Sequence, residues 1–187
     1  MATAAELANA ITDLPEILLQ FSNDPKTQMA LLFPLCEYQV KVVETIAPLG
    51  QAENRLIKAT AALCRRAAMK SLCKAISNWQ ADSWDEVVEV RRKVSNLLNN
   101  EILLATEDKN MSTVNALRAL RVKVLEGLLD AAGDLPHLRT ITRNNSLPAL
   151  QLSQQLYADG NRATELIKRA NPIHPAFMPT TLEVLSS

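Results

Sequence analysis

Apolar residues recur at three- and four-residue steps along most of this chain, and the step falls to two only beyond Pro136. The longer period lays a buried stripe along a helix, whereas the shorter one lays it along a face of a strand. The chain therefore reads as a long helical region followed by a small mixed segment. Leu7, Ile11, Leu14, Leu18 and Phe21 mark a first helix over residues 2–21, with Pro15 expected to kink or divide it. Asn23-Asp24-Pro25 is a turn that starts a second helix, with Asp24 as cap and Pro25 in the first helical position. That helix is expected to run through Pro34 to about Ile46 and to be stopped by Pro48-Leu49-Gly50.

A third helix is predicted from about Gln51 to Asn78 and a fourth from about Ser83 to Thr106. In the fourth, Val87, Val90, Val94, Leu97, Leu98 and Leu104 trace the inner face. Asp85, Glu86 and Glu89 load its first turns with acid, as the helix dipole favours. Ser112 or Thr113 is placed to cap a fifth helix whose inner stripe is Val114, Leu117, Leu120, Val124 and Leu128, with Gly133 and Pro136 closing it. Long amphipathic helices joined by short turns spell an antiparallel bundle, assigned here to residues 1–134.

Residues 135–187 read differently. Leu138, Thr140 and Thr142 alternate with Arg139, Ile141 and Arg143 as a short strand, and Asn144-Asn145 turns the chain. Ser146 is placed to cap a helix bearing Leu147, Leu150, Leu156 and Tyr157, which Asp159-Gly160 closes. Asn161 caps the next helix, in which Ala163, Leu166, Ile167 and Ala170 face inward. Pro175 and Pro179 keep the following connection extended before Leu182–Leu185 return as a strand. The fold class is thus mainly α, an antiparallel helical bundle followed by a small βααβ module.

Composition narrows the function. Only 4 glycines leave little from which to build a backbone cradle for phosphate, and neither nucleotide-binding nor nucleophile-elbow glycine patterns occur. His137 and His174 each neighbour a proline, without a spaced Asp, Cys or His to complete a catalytic or metal set. Cys36, Cys64 and Cys73 lack metal-ligand spacing and read as reduced thiols of a cytoplasmic product. No catalytic, cofactor or metal residue is assigned, and an enzyme is not expected. Zero net charge and a pI near 6.7 give no global field toward nucleic acid or anionic lipid. No apolar run spans a bilayer, and the start of the chain lacks a signal-peptide pattern.

One local electrostatic feature stands out. The third helix carries Arg55, Lys58, Arg65, Arg66, Lys70 and Lys74 against the single acid Glu53. Arg55, Lys58, Arg65, Arg66 and Lys70 could follow a phosphate backbone, or the face could be solvated or paired with the acidic start of the next helix. Trp79 and Trp84 flank a helix–helix turn and are read as packing anchors.

The βααβ order resembles a LysM module. The usual Gly-Asp before the first helix is replaced by Asn145-Ser146, which argues against an N-acetylated-sugar groove, although peptidoglycan binding stays open as an alternative. Three ordered motifs make a more specific likeness. Asp134-Leu135-Pro136-His137-Leu138-Arg139-Thr140, Leu147-Pro148-Ala149-Leu150 through Leu156-Tyr157, and His174-Pro175-Ala176-Phe177-Met178-Pro179 with Leu182-Glu183-Val184-Leu185 follow in order. From about Ser83 to Leu185 the chain resembles the C-terminal half of the phage Mu-type DNA circularisation family, also described as tail or baseplate proteins. Thr180-Thr181 stands where that family has a Gly-Gly turn. The resemblance implies a virion tail component, present in the host cytoplasm during assembly. It also implies contacts with other tail or baseplate proteins and a ring-forming homo-oligomer; nucleic acid stays a possible partner, no membrane is expected, and nothing in these residues shows a DNA activity directly. Members usually carry a β-rich N-terminal domain absent here, so a fragment or a shortened homologue is expected. Within this reading His174, Phe177, Met178 and Pro179 are the contact residues, on an apolar loop with little reason to face water.

Overall fold

The structure, a computed structural model, describes residues 3–186 and is mainly helical, with seven α-helices and one two-stranded antiparallel sheet among those residues. It divides into two compact units. One holds residues up to Gln80 together with Asn99–Asp108, and the other holds Ala81–Leu98 together with residues from Lys109 onward.

In the first unit, α1 (Ala4–Phe21) begins with a capping box: Thr3 Oγ1 accepts from Glu6 N, and Glu6 accepts from Thr3 N at 2.7 Å. Pro15 does not divide α1 into two helices, and it is the one buried residue of the helix, so the packing of its ring offsets the lost hydrogen bond. Helix α2 (Pro25–Cys36) starts as expected, with Asp24 accepting from Lys26 N and Thr27 N. It ends at Cys36 rather than near Ile46. The following Val40, Val42, Val43, Thr45 and Ile46 are β-branched, lose χ1 freedom in a helix, and leave residues 38–46 without regular structure. Pro48 opens helix α3 (Pro48–Ser77) instead of stopping α2. Two residues on, a Cβ at Gly50 would lie 2.5 Å from Thr45 Cγ2, so any larger residue there would force the Thr45 side chain to move. Helices α1 and α2 pack on α3, whose buried face is built from small residues such as Ala61, Ala68 and Ala75 around Leu72. Burial pushes the Cys36 thiol up to about 12 and the Cys73 thiol up to about 11, so both stay protonated and unreactive.

Helix α4 (Trp84–Glu107) contributes residues to both units, and α5 (Met111–Ala132) belongs to the second. Asn110, not Ser112 or Thr113, caps α5 by accepting from Thr113 N at 3.2 Å. The module that follows runs β1 (Leu138–Thr142), α6 (Ala149–Tyr157), a 3-10 turn at Gly160–Arg162, α7 (Ala163–Ala170) and β2 (Thr181–Leu185). The strands pair antiparallel with Ile141 opposite Leu182, and the βααβ order read from the period change is present. Its buried cluster is Ala149, Leu152, Leu166, Met178, Leu182 and Val184, with Ala163, Ile167 and Ala170 packed around it. Tyr157 Oη accepts from Leu185 N at 3.0 Å, and the Arg162 guanidinium lies 3.6 Å over its ring, which ties α6 to β2.

Several local details differ from expectation. Ser146 does not cap α6; its hydroxyl donates to Met178 O, and Pro148 occupies the cap position. Leu152, not Leu150, carries the inner face of α6, and Leu150 is exposed. Helix α6 ends on Ala158 in the left-handed region at φ 54°, and Asp159, not Asn161, caps the next turn.

The expected boundary between residues 134 and 135 does not coincide with the division into units. Trp84 N donates to Pro136 O at 3.0 Å, Leu138 N donates to Asp85 Oδ2 at 2.6 Å, and the Trp84 and His137 rings lie 4.7 Å apart. The start of α4 is thereby bound to β1 and groups with the βααβ module.

Candidate functional site

The loop between α7 and β2 is the first of the two candidate surfaces. Asn171 ends α7 in the left-handed region at φ 41°, its N–H bonded to Ile167 O. His174 folds the loop into a tight turn, since its Nδ1 accepts from Ala176 N at 3.1 Å and its carbonyl accepts from Phe177 N at 2.9 Å. Four further bonds stitch the loop to residues 143–149. They run from Met178 N to Leu147 O, Ala149 N to Pro175 O, Ser146 Oγ to Met178 O and Arg143 N to Thr180 O. The turn after β1 and the turn before β2 are thus held against each other.

This stitching sorts the four contact candidates. Met178 is only 1% exposed and belongs to the module core, so it is not a surface contact. A long unbranched thioether fills an irregular core gap readily, and the alternation of the loop turns it inward. His174, Phe177 and Pro179 are exposed, with the Phe177 and His174 rings 6.2 Å apart. Phe177 keeps 72% of its surface in solvent and Ile173 is fully exposed. Ile173 was missed in the sequence because it sits between two proline-bounded turns with no periodic neighbour to mark it.

The basic helix is less available than its composition implies. Arg65 Nε and Arg66 Nε each donate at 2.7 Å to a separate oxygen of Glu101, a residue 1% exposed. Arg65 also donates to Tyr38 O. Lys70 and Lys74 both reach Glu16 Oε1 at 2.9 Å. Arg65, Arg66 and Lys70 are therefore engaged by acids of the same unit, and of the five candidate phosphate contacts Arg55 and Lys58 are the ones at the exposed N-terminal half of α3. The acids that pair with the helix lie far along α4 and on α1, not at the acidic start of α4.

The double hydrogen bond from Lys74 and Lys70, reinforced by their charges, holds the Glu16 carboxyl at about 2, below its ordinary 4.5. A carboxylate depressed in the folded state contributes stability that is complete above its unfolded value and is lost as pH falls through its folded value. The melting temperature of the wild type should therefore fall more steeply than that of Glu16→Gln between about pH 5 and pH 2. Above about pH 6 the difference between the two should be constant. Parallel curves throughout, in a thermal melt followed by circular dichroism, would remove this assignment.

Among the described residues no group of three or more His, Cys, Asp or Glu side chains is placed to hold a metal ion, and no helix is long and apolar enough to cross a membrane. Compared with known proteins, the chain matches no family model and no curated protein.

Proposed function

We propose that this chain is a structural component of a phage or prophage tail or baseplate, acting through protein–protein contacts made by the loop between α7 and β2. The observation that carries this reading is the exposure of Ile173 and Phe177 on a loop whose backbone is fixed by hydrogen bonds to residues 143–149. Water gains nothing from two large apolar side chains held out on a rigid support, whereas a partner surface does. Pre-ordering also lowers the entropy lost on docking. The three sequence motifs that resemble the DNA circularisation family support the same role. A role in binding DNA draws less support, because a backbone-tracking face needs several free cations and three of the five candidates are committed to Glu101 and Glu16.

Phe177→Asp should leave the thermal melt within about 0.5 kcal/mol of wild type, as expected for an exposed position. It should also block incorporation of the chain into tails in a complementation assay. Normal tail assembly with this variant would remove the loop from the docking role.

A further inference from the structure

Helix α1 has a second apolar face that nothing in its unit covers. One face of α1 carries Ala8, Thr12, Pro15 and Leu19, all buried or half-buried. Rotated away from them, Leu7, Ala10, Leu14, Ile17 and Phe21 are all exposed, with Ile17 at 63% and Phe21 at 83%. Their spacing of three, four, three and four residues is the seam of a coiled coil. Beside this seam, Ile11, Leu14 and Pro15 form one wall of a groove of about 440 Å³, opposite Leu56 and Ile57 of α3. No charged side chain lines the groove.

We propose that this face and the adjoining groove dock an amphipathic helix of a partner protein that carries Lys or Arg along its flanks. The seam spacing fixes the partner's secondary structure, because only another helix presents apolar side chains at a matching period. Its charge follows from α1 itself. With Leu7, Leu14 and Phe21 in one core position of the heptad, one flank is Glu6, Asp13 and Gln20, and α1 contains no basic residue. The other flank, Ile11 and Leu18, is apolar and leads into the groove, which gives a bulky partner side chain a place to insert. A second copy of this chain fits less well. Antiparallel pairing of the whole seam sets Asp13 against Asp13, and parallel pairing leaves the acids opposite Ile11 and Leu18. An anionic bilayer is opposed by the same acids.

The test uses the full chain and two labelled synthetic peptides of three heptads, both with Leu at the core positions, one with Lys and one with Glu on the flanks. The Lys peptide should bind at least about tenfold more tightly at low salt, with the margin shrinking as salt rises. Leu14→Asp should weaken binding by at least about tenfold, the effect expected of a contact at the centre of an interface. Asp13→Lys, at an exposed position, should lower affinity for the Lys peptide about fivefold and raise that for the Glu peptide, with an unchanged thermal melt. Equal binding of the two peptides, or binding that Asp13→Lys leaves unaltered, would overturn the proposal. Concentration-dependent dimerisation lost in Leu14→Asp would assign the face to a second copy, and flotation with phosphatidylserine vesicles would assign it to membrane; either result overturns it too.

Discussion

Glu101→Ala is expected to destabilise the unit that contains Trp79 by about 3–5 kcal/mol, because it removes the shared acid of a buried ion cluster. Glu101 is 1% exposed, and the Arg65 and Arg66 side chains are 11% and 29% exposed. Each guanidinium has given up much of its water in exchange for one carboxylate oxygen at 2.7 Å. Without that carboxylate two cations remain crowded on neighbouring positions of α3, Arg65 with only the Tyr38 carbonyl as compensation. The net worth of the cluster against an apolar filling is a separate quantity. Arg65→Met, Arg66→Met and Glu101→Leu together should cost less than Glu101→Ala alone, since desolvation of three charges is then never required. Urea unfolding followed by Trp79 fluorescence in a Trp84→Phe background separates the two cases, as these tryptophans lie in different units. A loss below about 1 kcal/mol for Glu101→Ala would mean that water reaches both arginines freely and that the cluster is a surface network.

That cluster also shows where the sequence stops being legible. Helix positions followed from local signals: the apolar period, Asp24 before Pro25, and the acidic start of α4 all lie within a turn of what they determine. The partner of Arg65 and Arg66 lies along a different helix, and Glu101 carries no mark that separates it from any exposed glutamate. A basic stripe was readable, but whether its charges face water or a buried acid depends on packing. The early end of α2 was written in the β-branched run at Val40–Ile46, yet the expectation gave more weight to Pro48 as a stop than to those residues as poor helix formers. The βααβ order was legible because the period changes from four to two and back. The side to which each loop residue turns was not, since Phe177 and Met178 differ little in hydrophobicity and the direction is set by hydrogen bonds from residues 143–149.

Those neighbours support the second large effect, a separation of stability from docking within one dipeptide. Met178→Ala is expected to cost about 2–5 kcal/mol, and Phe177→Ala less than about 0.5 kcal/mol. Met178 is 1% exposed and is itself one of the six residues of the buried cluster, so its truncation opens a cavity that the five others cannot refill. Domain stabilities are about 5–15 kcal/mol in total, and a loss of this size is a large share of what a module with so small a core contributes. The surrounding frame resists collapse, because Met178 N and O are both bonded to the segment before α6 and cannot drift inward. Met178→Leu, which keeps volume, should recover most of the loss. Phe177 leaves no cavity when truncated, and its removal exposes no buried polar group. Thermal melts of the three variants, read by hydrogen exchange at the amides of β2, give the comparison. Equal losses at 177 and 178 would show that Phe177 is packed in solution, and the loop would then have no free apolar face to offer a partner.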